Sequence, residues 1–358
     1  WFCACRTQGT TSDDPVIAYA NMLQAEIALL ALHLPKGVTL SRLHWGGGTP
    51  TMLAPGLIRD LAGAILNVAP LAKGAEFSVE IDPNEIDEPR LDALTAAGMN
   101  RASIGVQDFD PEVQKAVHRI QPVEQVFDLV ASARKIGFES VNVDLIYGLP
   151  KQSPESFDRT LKQINALRPD RIALYAYAHL PERFKPQRRI VAAELPVASS
   201  KIAMLSRSMD ALMNAGYVYV GMDHFALPED TLAVAKRQGR LHRNFQGYTD
   251  DDCDALIGLG ASAISSLPEL FYQNTPDTAA YRSSLGEGRS PVVRGLKPTR
   301  EDISIAQLIE RVLCDFEVKL DANMKDAVYP KLAPLIQAGL VGLHGSTLTV
   351  SARGRPYS

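Results

Sequence analysis

Short apolar runs alternate with amphipathic stretches along the first half of the chain. Five runs rich in β-branched and aromatic residues predict strands, and the stretches between them have the apolar period of helices. The strands are LSRLHWGG, EFSVEID, RASIGVQ, ESVNVDLIYG and DRIALYAYA, with helices near 55–67, 90–98, 122–136 and 155–167. This alternation indicates parallel βαβ units, and hence a full or partial (β/α) barrel with its site at the carboxyl ends of the strands.

The second half follows a looser pattern. From residue 199 the pattern predicts a helix, the strand YVYVGMDHFA and another helix, followed by the basic stretch AKRQGRLHRNFQGY. In the last part of the chain the pattern predicts helices at 304–316 and near 328–338, followed by a hairpin in LVGLHGSTLTVS. This order of elements is similar to that of a winged helix. We therefore expect two domains, an α/β domain over 1–299 and a small, mainly helical, winged-helix-like domain over 300–358.

Composition and charge exclude several classes of protein. The 358 residues are 46% hydrophobic and carry a net charge of -4, and no apolar run approaches the roughly 20 residues of a membrane span. The charge argues against a nucleic-acid binder with a general basic field. Four cysteines are too few for a disulfide scaffold, and we expect Cys253 and Cys314, which lie in apolar patterns, to be buried. These features favour a reducing, cytoplasmic setting.

Three glycines follow the first predicted strand, in HWGGGTP. Without a Cβ, the backbone at Gly47 and Gly48 can approach a ligand closely, and Thr49 adds a hydroxyl. An ordinary glycine-rich turn explains the same residues equally well. A P-loop is excluded, because no Gly-Lys-Ser/Thr follows.

Polar side chains also end the next three predicted strands. They are Glu80 in VEIDP, Gln107 in GVQDF and Asp144 in NVDLIYGLP, and Arg119 lies shortly after the third strand. A carboxylate can accept hydrogen bonds from an ammonium group or a ribose, and Arg119 can hold a carboxylate. Each residue alone also fits a strand end in water. Four such strand ends at one edge of a barrel predict one convergent ligand site.

Two thiols, Cys3 and Cys5, open the chain in WFCAC. They precede the glycine strand by one helix, so we expect them at the same mouth of the barrel, after a strand that lies before Trp1. Thiolates there suit an iron–sulfur cluster that takes further ligands from the preceding segment. A chance pair of thiols is the alternative.

Seven motifs in order resemble those of one family. WFCAC, HWGGGTPT, VEIDP, GVQDF, VDLIYGLPKQ, GMDHFALPED and HRNFQGYT are similar to the motifs of oxygen-independent coproporphyrinogen III oxidase, a radical S-adenosylmethionine (SAM) family of heme synthesis. The resemblance spans nearly the whole chain. It implies a partial (β/α)6 TIM-like radical SAM barrel with additional strands, whose first strand and N-terminal arm are expected before Trp1.

The resemblance also assigns the thiols. The family's cluster loop reads Cys-x3-Cys-x2-Cys-x-Cys, so Cys3 matches the third ligand of a 4Fe–4S cluster and the first two are expected before Trp1. Cys5 matches the fourth cysteine, which we expect near the substrate and not on iron.

The resemblance further implies a reaction. Reductive cleavage of SAM on the cluster gives a 5′-deoxyadenosyl radical, and two propionate side chains of coproporphyrinogen III become vinyl groups, giving protoporphyrinogen IX. Two SAM molecules, an electron donor and an electron acceptor are implied, and we expect a monomer. The positions that match the family's SAM contacts are Phe2, Gly47, Gly48, Thr49, Glu80, Gln107, Arg119, Asp144, Ala178 and Ile264.

Such a substrate carries four carboxylates, so basic groups are expected near the barrel mouth. ERFKPQRR and the basic stretch AKRQGRLHRNFQGY supply them, and we expect Arg243 and Gln246 to contact the substrate. Ordinary solvated loop charges account for most of these residues.

Two alternatives belong to other classes of protein. A related radical-SAM-like heme chaperone usually lacks the fourth cysteine, so Cys5 and HRNFQGYT favour the oxidase. A nucleic-acid binder would use the winged-helix-like tail, but its recognition helix YPKLAPLIQAGL is mostly apolar with a single Lys. We therefore expect no nucleic acid and no membrane among the partners.

Overall fold

A seven-stranded sheet organises the protein, whose computed structural model describes residues 1–3, 10–244 and 246–357. Its strands are β1 (Leu40–Trp45), β2 (Leu71–Ile81), β3 (Arg101–Gln107), β4 (Ser140–Tyr147), β5 (Arg171–Ala176), β6 (Val218–Gly221) and β7 (His224–Ala226). Strands β1 to β5 lie in chain order and pair in parallel, and β7 and then β6 extend the sheet antiparallel. The five predicted parallel strands are confirmed. The predicted single strand YVYVGMDHFA is wrong, because the chain reverses at Met222, where φ is 41°.

Within the described residues, seven helices connect or flank these strands. They are α1 (Asp14–Ala31), α2 (Pro55–Val68), α3 (Glu88–Ala96), α4 (Pro111–Val117), α5 (Val123–Ile136), α6 (Pro154–Leu167) and α7 (Ala198–Asn214). Local signals set their ends: a capping box at Ser153 begins α6, and Gly137, at φ 98°, ends α5.

Burial alternates along β3 and β4, so the sheet has two different faces. The apolar face, with Phe77, Ile104 and Val143, belongs to one large core together with helix residues such as Leu161 and Ile164. The half-buried positions between these residues are mostly polar. We call that side of the sheet the inner face, and the candidate site lies there.

Further elements follow the sheet. They are α8 (Thr231–Arg237), β8 (His242–Asn244), β9 (Gly247–Thr249), β10 (Ile264–Leu267), β11 (Leu270–Asn274), α9 (Thr278–Gly286) and β12 (Val292–Leu296). The basic stretch becomes α8 and the β8–β9 hairpin, while β10, β11 and β12 form an antiparallel sheet. Buried Glu26 of α1 joins this second sheet to the body, since it accepts hydrogen bonds from Gly260, Asn274 and Tyr281.

The C-terminal part has the predicted order of helices and hairpin. Its elements are α10 (Arg300–Asp315), β13 (Glu317–Lys319), α11 (Ala322–Gln337), β14 (Val341–His344) and β15 (Thr347–Val350). The helices begin earlier than predicted, because Thr299 and Asp321 cap their first turns. The ring of Phe316 stacks on Tyr219 of β6 at 5.8 Å. The boundary near residue 300 stays a prediction.

The structure separates the two cysteines that were expected to be buried. Cys314 is buried beside Val220 and Leu241, as predicted. Cys253 is exposed in a loop, where its Sγ lies 3.2 Å from the Oγ of Ser41, so that prediction is wrong. None of the described helices has both the length and the apolar character of a bilayer span.

Candidate active site

Asp144 occupies the inner face of β4, beside polar groups of the neighbouring strand. Its carboxylate accepts hydrogen bonds from Asn142 Nδ2 at 2.8 Å and from Ser103 Oγ at 3.3 Å. Desolvation, with a smaller contribution from the charge of Glu80, raises the pKa of Asp144 to about 6, although the hydrogen bond from Asn142 and the charge of His224 oppose the rise. Asp144 therefore takes up a proton more readily than an exposed aspartate. The sequence placed Asp144 at a strand end, but it lies within β4.

The glycine turn after β1 meets the carboxylate of Glu80. The backbone N–H of Gly47 donates to Glu80 Oε2 at 3.1 Å, and His44 Nε2 lies 3.5 Å from Oε1. A Cβ at Gly46 would lie 2.6 Å from Glu80 Oε1, so a larger residue would displace the carboxylate. Gly47 and Gly48 have φ of 78° and 151°, which favours glycine.

Open space adjoins this turn. Within the described chain, a Cβ at Gly47 or Gly48 would meet no atom within 4 Å. Thr49 follows, half-buried, where the short helical turn Pro50–Met52 begins. The structure thus brings the glycine turn and Glu80 together and leaves the backbone of the turn accessible to a ligand.

Arg119 lies on the adjoining part of the mouth and already has protein partners. Its Nη2 lies 3.0 Å from Asp82 Oδ1 and donates to the oxygen of Gly105 at 3.1 Å, while Nε donates to Gln121 Oε1 at 3.2 Å. Desolvation lowers the pKa of Arg119, and the charges of Asp82 and Cys3 oppose this. Cys3 therefore lies within electrostatic reach of Arg119.

Gln107 shares this space with Arg119. Its backbone has φ 65°, and its Nε2 would lie 2.8 Å from a Cβ at Gly105, with Arg119 Nη2 at 3.3 Å from the same point. Any side chain at Gly105 would push both groups away. The two predicted polar residues thus meet above one glycine.

A buried glutamine that the sequence did not single out joins Phe2 and Ala178, two residues that were predicted to contact SAM. Gln187 Nε2 donates to the backbone oxygens of Phe2 at 2.9 Å and Ala178 at 3.1 Å. Its Oε1 accepts the N–H of Leu180 at 2.6 Å. Gln187 lies in the basic motif ERFKPQRR, which was predicted only to supply basic groups near the barrel mouth.

A second group that sequence reasoning missed lies where β7 joins the inner face. His224 Nδ1 is 2.5 Å from Asp223 Oδ1, and the imidazole ring lies edge-on to Tyr175 and Tyr248, with ring centroids 6.2 and 5.4 Å away. Both Asp223 and His224 belong to the motif GMDHFALPED. The tight turn between β6 and β7, which the sequence did not predict, brings them here.

The remaining predicted residues lie in three places. Arg243 is half-buried in β8, over the ring of Tyr248. Gln246 is exposed at the tip of the β8–β9 hairpin, where its N–H donates to Asn244 Oδ1 at 2.8 Å. Ile264 belongs to the second sheet and pairs with Gln273. Cys5 lies outside the described residues.

Comparisons with known proteins agree with this geometry. Residues 1–164 match the family model of the Radical SAM superfamily. The oxygen-independent coproporphyrinogen III oxidases of Paracoccus denitrificans and Escherichia coli are 47% and 42% identical, over 100% and 99% of this chain and 81% and 80% of their own. The chain belongs to the oxygen-independent coproporphyrinogen III oxidase family. The solved structure of coproporphyrinogen III oxidase (HemN) from E. coli matches with a TM-score of 0.95 and 41% identity, covering 99% of this chain and 84% of that one.

Membership of this family confirms the predicted resemblance and the radical SAM fold. The protein is a radical SAM oxidoreductase, and its superfamily implies a 4Fe–4S cluster and SAM. The described residues fit these groups. Cys3 offers a thiolate, the open glycine turn offers backbone groups, and Glu80, Arg119 and Asp144 offer charges of both signs for a zwitterionic ligand.

Proposed function

We propose that this protein removes CO2 from two propionate side chains of coproporphyrinogen III without oxygen, leaving vinyl groups and giving protoporphyrinogen IX. The observation that carries the proposal is the TM-score of 0.95 to the E. coli oxidase over 99% of this chain. The shared name of the relatives and their 80–81% coverage support it. Loss of a hydrogen atom, of CO2 and of one electron from each propionate leaves the vinyl group, so an electron acceptor is required, and reductive cleavage of SAM requires an electron donor.

The cysteine roles follow the family motif. Cys3 would ligate the cluster and Cys5 would lie near the substrate without binding iron. When bound, the cluster and SAM supply a 5′-deoxyadenosyl radical. We propose two SAM molecules and a cytoplasmic monomer.

The residues of the inner face would bind and orient SAM. Main-chain groups at Gly47, Gly48 and Thr49 would contact its amino-acid part, with Glu80 accepting from its ammonium group. Gln107, Arg119 and Asp144 would contact carboxylate and ribose groups, and Phe2, Ala178 and Ile264 would give backbone or apolar contacts. Asp144 supports this assignment, because burial disfavours its ionised form and ribose hydroxyls would add hydrogen bonds to that form.

The test is anaerobic turnover by the full-length protein with a reconstituted cluster, SAM, a reductant and coproporphyrinogen III. We expect vinyl products by chromatography, together with 5′-deoxyadenosine. The Cys3→Ser variant should lose iron, whereas Cys5→Ser should keep its iron and brown colour but lose product. Stoichiometric heme binding without SAM cleavage would refute the proposal and favour the heme chaperone.

A further inference from the structure

Four side chains meet beside Asp144, at the end of the inner face formed by β5 and β7. Tyr175, His224, Tyr248 and Arg243 form this group, which we call the Tyr175 cluster. The His224 ring lies edge-on to both tyrosines, and the guanidinium carbon of Arg243 lies 5.2 Å from the centre of the Tyr248 ring. The SAM contacts proposed above do not use this cluster.

Arg243 contributes an unsatisfied donor to the cluster. Its Nη1 is buried and has no hydrogen-bond partner among the residues that the structure describes. Buried polar groups are nearly always hydrogen-bonded, so this N–H indicates an external acceptor. A planar guanidinium matches a carboxylate best. The backbone is held in place, because the N–H of Arg243 donates to Glu310 Oε1 of α10 at 3.2 Å.

His224 offers a second polar atom to a ligand. The carboxylate of Asp223 can only accept a hydrogen bond when ionised, so the contact at 2.5 Å assigns a proton to Nδ1 of His224. Its Nε2 faces the backbone of Gly247, where even a Cβ would be 3.7 Å away. Glycine at this position leaves space beside Nε2.

The charges around Tyr175 favour one position for an acidic ligand. Burial raises the pKa of Tyr175 most, the charges of Asp144, Asp223 and Glu80 raise it further, and the charge of Arg243 lowers it. A carboxylate is therefore favoured on the Arg243 side of the ring and opposed on the other side. Hydrogen-bond donors are favoured beside the acids.

We propose that Arg243, His224 and Tyr175 form a binding subsite for one carboxylate of the tetrapyrrole. This inference rests on the proposed function, since the ligand is a propionate of that substrate. The propionate pairs with the guanidinium of Arg243 and accepts hydrogen bonds from Tyr175 Oη and from an Nε2–H of His224, whose Nδ1–H donates to Asp223. The pyrrole N–H groups then point toward Asp223 and Asp144.

The experiment uses coproporphyrin III, which has the same four propionates as the substrate, and its tetramethyl ester, which has none ionised. Binding of both to the full-length holoenzyme is measured by porphyrin fluorescence in a detergent buffer. Arg243→Gln should weaken binding of the acid roughly 10-fold to 100-fold and leave binding of the ester unchanged. His224→Gln and Tyr175→Phe should show the same selectivity with smaller losses. Arg240→Gln is the control, because Arg240 is exposed and its described side-chain hydrogen bonds go to its neighbour Gln238.

Each outcome separates the subsite from the proposed function. If Arg243→Gln weakens acid and ester equally, or neither, while the parent still makes vinyl product, the subsite is refuted and the function stands. If the parent neither binds coproporphyrin nor makes product, the proposed function fails and the subsite fails with it. If Arg243→Gln does not fold, Arg243→Lys replaces it, since it keeps the charge and loses the planar fork. An unchanged ratio of acid to ester affinity in Arg243→Lys would then refute the subsite.

Discussion

The side-chain amide of Gln187 donates to the backbone oxygen of Phe2, a residue 185 positions earlier in the chain. The same amide donates to Ala178, just after β5, and its oxygen accepts from Leu180. Gln187 is 1% exposed, so water does not compete for these hydrogen bonds. One side chain therefore holds the segment that contains Cys3 against the end of β5.

The first prediction concerns this link. Gln187→Glu has the same shape but no N–H, so it should leave the oxygens of Phe2 and Ala178 unsatisfied and lower the free energy of unfolding by about 1 to 3 kcal/mol. We expect reduced iron per reconstituted protein, because the position of Cys3 is less well fixed. Gln238→Glu, at an exposed position, is the control. Full iron content in a folded Gln187→Glu variant would contradict this role.

The second prediction concerns Asp144 and pH. Its pKa is raised from 3.8 to about 6, so the folded state binds this proton more tightly than the unfolded state does. The stabilisation that results is fully present below about pH 4 and disappears as the pH rises through about 6. Asp144→Asn should remove this dependence, worth at most about 3 kcal/mol, and should be relatively more stable than the parent at pH 7 than at pH 4.

Urea denaturation of cofactor-free protein at pH 4, 5, 6 and 7 measures this difference. Asp60→Asn, at an exposed position, should follow the parent at every pH. Parallel stability curves for Asp144→Asn and the parent would show that Asp144 titrates normally. In the holoenzyme, Asp144→Asn should also bind SAM about 5-fold to 150-fold more weakly, if ribose hydroxyls donate to the carboxylate.

The third prediction separates binding from stability at Arg119. The side chain of Arg119 is only 20% exposed and bonds Asp82, Gly105 and Gln121, so its removal affects the fold as well as the SAM site. We therefore expect a loss of about 1 to 3 kcal/mol in unfolding free energy, together with weaker SAM binding. Arg119→Lys should recover part of the stability through Asp82. Calorimetry measures the stability, and an unchanged melting temperature for Arg119→Ala would show that these contacts contribute little.

The fourth prediction concerns an ionic cluster where β3 and β5 begin, formed by Arg101, Arg171 and Asp230. The side chain of Asp230 is 3% exposed, and its carboxylate lies 2.8 Å from Arg171 Nε and 3.7 Å from Arg101 Nη1. Asp230→Ala would leave two largely buried guanidinium groups without this partner, which should cost about 3 to 5 kcal/mol. Asp128→Ala, at an exposed site, should cost almost nothing. Chemical denaturation measures the free energy of unfolding, and a loss below about 1 kcal/mol would refute the structural role of Asp230.

Local sequence determined the parallel half of this fold. The five parallel strands could be predicted because β-branched runs alternate with helical periods, and the glycine turn at Gly47 because its backbone needs positive φ. The turn at Met222 was missed, because its positive φ falls on Met222 and not on the neighbouring Gly221. The burial of Cys253 was mispredicted, because apolar neighbours in sequence do not show which segments cover a loop.

The sequence by itself determined the family, the alternation of parallel strands with helices and the polar residues near the strand ends, because these depend on motifs and local periodicity. Only the tertiary structure decided which of those residues meet. Parallel pairing places Asp144 beside Ser103, and chain reversal after β6 places His224 beside Tyr175. Gln187 reaches Phe2 across 185 positions. Hydrogen bonds and charges act over a few ångströms in space, and a linear pattern carries no such distances.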